Sequence, residues 1–177
     1  MTKTRKRLTI VGGGYLGSDL AKSLDSEMEV TLIERATHFT HAPAMIRAMV
    51  QPALLDQALI PYDGLLKHGH VVRGEAVSVD AAGVTLADGA RVEADYIVLA
   101  TGSSNLAPFR TASGDIAELR ANSDLWHKSL MTANTVLIIG AGAVGTNVGT
   151  EADGAAEHAD EREVRGLISI TTTRPAD

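Results

Sequence analysis

The chain has 177 residues, a net charge of −6 and 45% apolar residues, which fits a folded α/β core and disfavours a general nucleic-acid-binding surface. It contains no cysteine, which excludes a redox-active disulfide, a thiol nucleophile and a thiolate metal site. No apolar run reaches the length of about 18 residues that a membrane span needs, and there is no signal peptide, so a soluble cytoplasmic protein is expected.

In chain order, a basic cluster of Lys3, Arg5, Lys6 and Arg7 precedes the first strand. It reads as a solvated tail, with a phosphate- or membrane-touching arm as the alternative. The segment Leu8 to Glu34 follows: an apolar strand, the glycines Gly12, Gly14 and Gly17, a helix, and a second strand Glu-Val-Thr-Leu-Ile-Glu. This is the G-x-G-x-x-G dinucleotide pattern in the strand–turn–helix–strand setting it requires. Gly12 permits the tight turn, Gly14 lets the backbone approach a pyrophosphate, and Gly17 lets the helix pack close to the strand. The helix N-terminus offers free N–H groups to the phosphates. Glu34, 22 residues after Gly12, stands where an acid accepts hydrogen bonds from ribose hydroxyls.

A less regular stretch, Arg35 to about Leu66, is punctuated by Pro43, Pro52 and Pro61. It holds a short helical run Ala44–Val50 and an apolar run near Ala53–Ile60. Short strands come next: Val71–Val79, then Gly83–Leu86 and Arg91–Val92 flanking the turn Asp88-Gly89, then Tyr96–Ala100 running into Thr101-Gly102-Ser103-Ser104. The order suggests a β-meander inserted as a crossover in a parallel sheet. Ala117–Leu130 reads as an amphipathic helix with Leu119, Leu125, Trp126 and Leu130 as its apolar positions, Trp126 for packing.

The opening pattern then repeats. Thr135–Ile139 is an apolar strand, and a second G-x-G-x-x-G, Gly140, Gly142 and Gly145, begins 128 residues after the first. The helix after it carries Asn147, Gly149, Asp153 and Gly154, and each interior glycine costs about 1 kcal/mol relative to alanine. The next strand, Val164–Ile170, is interrupted by Arg165 and Gly166.

Together these residues resemble the FAD-dependent pyridine nucleotide-disulfide oxidoreductase superfamily. Within it, the chain is most similar to the cysteine-free branch that includes ferroptosis suppressor protein 1, apoptosis-inducing-factor-like proteins and type II NADH dehydrogenases. The carrying motifs are Ile10–Gly17, Leu32–Glu34, Ala44–Val50, the meander ending in Tyr96–Ser104, and Val136–Gly145. The resemblance implies a Rossmann-like FAD-binding domain with an inserted β-meander over residues 1–132, followed by an incomplete second Rossmann unit, a truncated NAD(P)H-binding domain, over 133–177. It implies that Gly12, Gly13, Gly14, Tyr15, Leu16 and Gly17 hold the FAD pyrophosphate and that Glu34 holds the adenosine ribose. Arg47 would neutralise phosphate charge or face the flavin, Ala76 would meet the adenine through its backbone, and Thr101 and Gly102 would close the pocket. Gly140, Gly142 and Gly145 would receive NAD(P)H. The pattern departs from the family at Asn147, where an acid is usual, and at Thr171, Thr172, Thr173 and Arg174, which lean towards NADPH.

The implied activity is hydride transfer from NAD(P)H to the flavin and onward to a quinone or another small electron acceptor. No acid–base pair is required, and none stands out. The alternative is a catalytically inactive FAD- or ADP-binding remnant. Competing chemistries lack their residues. His38 with His41, and His68 with His70, have no third metal ligand at a defined spacing. There is no G-x-S-x-G elbow, no Tyr-x-x-x-Lys pair and no Walker lysine.

Overall fold

A computed structural model describes residues 5–103, 111, 113–133, 135–138 and 163–166. The chain divides into two compact units, one drawn from Met1–Phe39, Ile60–Asn105 and Ala112–Ile116, the other from Thr40–Leu59, Leu106–Thr111 and Ala117–Asp177.

The first unit is organised by a four-stranded parallel sheet. Strand β1 (Arg7–Val11) leads through the glycine turn into α1 (Tyr15–Leu24) and returns in β2 (Glu29–Glu34). After β3 (His38–Thr40), α2 (Ala42–Val50), a 3-10 turn (Pro52–Leu54), α3 (Leu55–Ala58) and β4 (Leu59–Pro61), the chain adds β5 (His70–Arg73) beside β2. It then makes the antiparallel meander β6 (Ala76–Asp80), β7 (Gly83–Leu86) and β8 (Arg91–Glu93), and re-enters the sheet as β9 (Tyr96–Leu99) on the far side of β1. The order β5-β2-β1-β9 puts β1 in the middle. That explains why Leu8, Thr9, Ile10 and Val11 form a buried run without polar alternation: both faces of a central parallel strand are covered.

The two faces have separate cores. Leu8, Ile10, Val30 and Leu32 pack with Ala21 of α1 and with Tyr62. Val11 and Ile33 pack on the other side against Val84 and Leu86 of the meander. The unit therefore has three layers: helix, sheet, meander. Thr9 sits in the middle strand with its hydroxyl buried and without a partner.

The C-terminus of α1 is tied down by a carboxylate. Asp25 follows the last helical residue, is buried, and accepts the backbone N–H groups of Lys67 at 2.7 Å, His68 at 3.1 Å and Gly69 at 2.6 Å. The entry to β5 is thus held against the end of α1. At the opposite end, Arg7 pairs with Glu93 and, at 3.4 Å, with Asp95, while Arg91 pairs with Asp80 at 2.6 Å. These pairs are exposed and individually worth little.

In the second unit, α2 buries Met45, Ile46, Ala48 and Met49. Helix α4 (Ile116–Thr132) buries Leu119, Ser123 and Leu130. His127 makes a 2.7 Å hydrogen bond to the Met49 carbonyl in the last turn of α2, and Arg120 pairs with Asp56 at 2.7 Å. Strand β10 (Thr135–Ile138) pairs in parallel with β11 (Glu163–Gly166).

Several expectations are corrected. Val71–Val79 is two strands in different sheets, because the chain turns at Gly74, whose N–H bonds to the Glu34 carbonyl. The apolar run near Ala53–Ile60 is broken into a 3-10 turn, one helical turn and a strand. Leu125 is 63% exposed, since at 3.6 residues per turn it lies about a third of a turn off the line joining Leu119, Ser123 and Leu130; Trp126, next to it, is half-buried. Arg165 and Gly166 pair within β11, opposite Leu137 and Ile138; the remainder of the expected strand Val164–Ile170 lies outside the described residues.

Asp25, Asp80 and Asp95 all carry carboxyl pKa values below the ordinary 3.8. For Asp25, burial acts to raise the value, and the N–H bonds from Gly69, Lys67 and His68 outweigh it. Asp80 is lowered chiefly by the Arg91 guanidinium, and Asp95 by the backbone N–H and side chain of Arg7. Their folded values lie below the unfolded ones, so this stability is fully present above 3.8 and is lost as pH falls through the depressed values. The melting temperature should be flat above about pH 5 and fall steeply on acidification below the ordinary carboxyl value. Asp25→Asn should melt several degrees lower at neutral pH and show a shallower acid limb in pH-dependent thermal melts; an unchanged limb would remove Asp25 from the account.

Candidate functional site

The strand order makes the C-terminal ends of β1, β2 and β9 adjacent, and three sequence signals meet there. The glycine turn Gly12–Gly14 leaves β1, Glu34 ends β2, and Ala100-Thr101-Gly102 leaves β9. In open α/β sheets this edge is where ligands bind.

Each glycine of the turn has a different reason. Gly12 has φ +104°, and a Cβ there would run into the Ala100 carbonyl. A Cβ on Gly17 would overlap the Gly12 carbonyl, so α1 touches the turn at backbone distance. Gly14 is unlike both: φ is −65° and a Cβ would meet nothing within 4 Å. Neither conformation nor packing demands glycine there. The open face it leaves is where a ligand's backbone-hugging group would sit.

Gly14 is also the N-cap of α1, with no side-chain capping bond and no acid in the first turn. The first N–H groups of a helix have no intrahelical partner. An uncapped, acid-free N-terminus leaves them and the positive end of the helix dipole to an incoming anion.

Glu34 is already partly engaged. Its Oε2 accepts the Gly13 N–H at 2.6 Å, and its Oε1 accepts the N–H groups of Arg35 at 2.8 Å and Ala36 at 3.0 Å. A carboxylate has about four lone-pair directions. The bonds fix its orientation and leave Oε2 capacity for one more donor, such as a hydroxyl.

Tyr15 and Leu16 are exposed, and Tyr15 packs edge-on against Phe39 with ring centroids 4.9 Å apart. Any role in the turn belongs to their backbone. Thr101 is exposed, its Cα beside Gly12; Gly102 has φ +68° with open space around it. Ala76 opens β6, pairs with Leu86 and packs in the meander core. Arg47 is exposed on α2, in the second unit. Gly140, Gly142, Gly145 and Asn147, with Thr171 to Arg174, lie outside the described residues. Among the described residues no three His, Asp or Glu side chains are grouped to hold a metal; His38 lies 2.8 Å from the Thr37 hydroxyl and His70 lies 3.3 Å from that of Thr31.

Two contributors carried no motif signal. The Tyr62 hydroxyl donates to the Gly13 carbonyl at 2.6 Å, and the Ser18 hydroxyl donates to the same oxygen at 2.7 Å. Ser18 follows the third glycine and was open to inspection. Tyr62 lies 49 residues from its partner, and only the fold shows the contact.

The profile of the pyridine nucleotide-disulphide oxidoreductase family matches residues 7–60 and, in a second section, 64–168. Apoptosis-inducing factor homolog B of Dictyostelium discoideum is 38% identical over 156 residues, covering 85% of this chain and 40% of that protein. Ferroptosis suppressor protein 1 of Taeniopygia guttata is 27% identical over 152 residues, covering 82% and 40%. The crystal structure of sulfide:quinone oxidoreductase from Aquifex aeolicus superposes with a TM-score of 0.67 at 16% identity, covering 90% of this chain and 42% of that one. The chain thus spans about two fifths of the length of the curated relatives it matches.

The glycines should separate by variant. Gly17→Ala gains about 1 kcal/mol of helix propensity but forces backbone atoms apart, which costs more. It should lower the melting temperature of the unliganded chain by at least about 5 °C. Gly14→Ala should melt within about 2 °C of the parent in the same calorimetric scan.

Proposed function

The chain belongs to the pyridine nucleotide-disulphide oxidoreductase family, and from that premise we propose that it carries the FAD-binding part of an NAD(P)H-dependent oxidoreductase. The observation that carries this reading is the meeting of the open Gly14 face, the uncapped α1 N-terminus and the oriented Glu34 carboxylate at one edge of the parallel sheet.

The residues suit the group. The N–H groups of Gly14, Tyr15 and Leu16 bind and orient the pyrophosphate, and Gly17 keeps α1 near enough for its dipole to contribute. Glu34 accepts a ribose hydroxyl on Oε2 and, as an anion, disfavours a phosphorylated ribose at this position. Gly12 and Thr101 form the wall towards β9, Gly102 leaves the mouth open, and the Ala76 backbone meets the adenine. FAD held there would supply a two-electron acceptor for a hydride from NAD(P)H, with a quinone or another small carrier as the onward acceptor.

The domain division follows the same reading: residues 1–132 for FAD, and 133–177 as the start of the NAD(P)H domain, with Gly140, Gly142 and Gly145 as its phosphate turn. The parallel β10–β11 pair supports it, since a Rossmann unit needs two parallel strands joined by a crossover.

The purified chain should be yellow or should take up added FAD with quenching of flavin fluorescence. Gly14→Leu should fold with a normal melting temperature yet lose at least about tenfold in FAD affinity, roughly 1.4 kcal/mol. Anaerobic NADH or NADPH should bleach the flavin band if the second motif is competent. A yellow protein that does not bleach supports the binding remnant instead. A chain that ignores FAD altogether, with a native melting transition, would sink the cofactor assignment.

A further inference from the structure

Gly13 is the residue of the turn for which sequence reasoning offers the weakest reason, yet its peptide groups are held by three hydrogen bonds. Its N–H donates to Glu34 Oε2 at 2.6 Å. Its carbonyl accepts two hydroxyls, Tyr62 at 2.6 Å and Ser18 at 2.7 Å, which uses both lone pairs. A Cβ at this position would lie 2.5 Å from the Tyr62 oxygen. The position is glycine because the tyrosine occupies the space.

We propose that Tyr62, assisted by Ser18, is a positioning residue that fixes the Gly13–Gly14 peptide with its N–H turned to the ligand. The proposal rests on the FAD reading above for the identity of that ligand. In a trans peptide the C=O of one residue and the N–H of the next point in opposite directions. Holding the Gly13 carbonyl inward against Tyr62 and Ser18 therefore holds the Gly14 N–H outward. The need for a tether is physical. Gly12, Gly13 and Gly14 in succession have no Cβ to restrict them, so this peptide could rotate at little steric cost. A rotated plane would present a carbonyl oxygen to the phosphates in place of an N–H. The two hydroxyls remove that freedom before the ligand arrives, which is preorganisation.

Tyr62 is itself rigid. It is 7% exposed, its N–H donates to the Thr37 carbonyl at 3.2 Å, and its carbonyl accepts the Leu65 N–H at 3.0 Å. Its ring packs in the core with Ile10 and Leu32. A buried tyrosine hydroxyl needs some partner, and this one takes the carbonyl at the centre of the turn, which Ser18 also holds.

The test compares the parent with Tyr62→Phe and with Tyr62→Phe/Ser18→Ala. Three quantities are read: thermal melting, backbone amide exchange of the unliganded chain, and affinity for FAD and for ADP by titration. Tyr62→Phe keeps the ring and should melt within a few degrees of the parent. Exchange at Gly13, whose N–H is held by Glu34, should rise several-fold while Ile10 and Leu32 keep their protection. FAD and ADP affinity should fall about 3- to 10-fold, and by about 10- to 100-fold in the double variant. Unchanged exchange at Gly13, or unchanged affinity in a parent that binds, overturns the proposal. So does exchange that rises equally along β1 and β2, which marks general loosening. If the parent binds neither FAD nor ADP but the local exchange response appears, the cofactor reading fails and the tether stands. If the parent binds and both variants match it, the tether fails and the cofactor reading stands.

Discussion

Everything at the ligand edge depends on three backbone segments approaching closer than any side chain allows. Gly17 of α1 lies on the Gly12 carbonyl, and Gly12 lies on the Ala100 carbonyl at the end of β9. Remove either contact and α1 moves away from β1, or the turn moves away from β9. The first change takes the helix N-terminus away from the position where its dipole acts, an effect that decays within one turn. The second opens the wall between the turn and Thr101. The helix–sheet core of Leu8, Ile10, Ala21 and Leu32 is the consequence as well as the support of this approach, because Ala21 can bury against β1 only if Gly17, one turn earlier, has no side chain.

The sheet is chemically asymmetric along its strands. At the C-terminal ends stand glycine turns, an uncapped helix and one oriented carboxylate. Beside the N-terminal ends of β1 and β9, Arg7, Arg91, Glu93 and Asp95 line a polar groove of about 560 Å³, Arg7 paired with Glu93 and Asp95 and Arg91 with Asp80. Those charges satisfy one another: the Arg7–Glu93 pair joins β1 to the meander and the Arg91–Asp80 pair lies within it. The opposite edge is different: a helix N-terminus without a side-chain cap and an acceptor with spare capacity. Asp25 belongs to the structural group. It spends its carboxylate on three N–H groups of the 67–69 segment and so fixes where β5 begins.

What was legible in the sequence was local. The span Glu29–Glu34 and the turn glycines are set by burial of a central strand and by sterics within a few residues, so the pattern alone carries them. The meander was legible because Asp88-Gly89 marks a hairpin; Gly89 has φ +87°. What escaped depends on distant partners. Val71–Val79 looks like one strand by composition, and only the hydrogen bond from Gly74 to the Glu34 carbonyl shows where it changes sheets. Leu125 counts as apolar in a helical pattern, but which face is buried was decided by packing around Leu119 and Leu130. The pairs Gly13–Tyr62 and Asp25–Gly69 join residues 49 and 44 positions apart, and no spacing rule anticipates them.

The turn and the crossover that follows β2 are therefore one device. Glu34 orients Gly13 from β2, and Tyr62 orients it from the segment that leads to β5, so the same glycine reports the placement of two elements. The hydrogen-bond count makes the division of labour clear. The Gly13 carbonyl is saturated and has no further chemistry to offer, whereas Glu34 Oε2 has accepted one donor and can accept another. A ligand hydroxyl arriving at Glu34 would share that oxygen with the Gly13 N–H rather than displace it. On the proposed reading, ribose recognition and the set of the phosphate-facing peptide would be coupled through a single residue, each reinforcing the geometry the other needs.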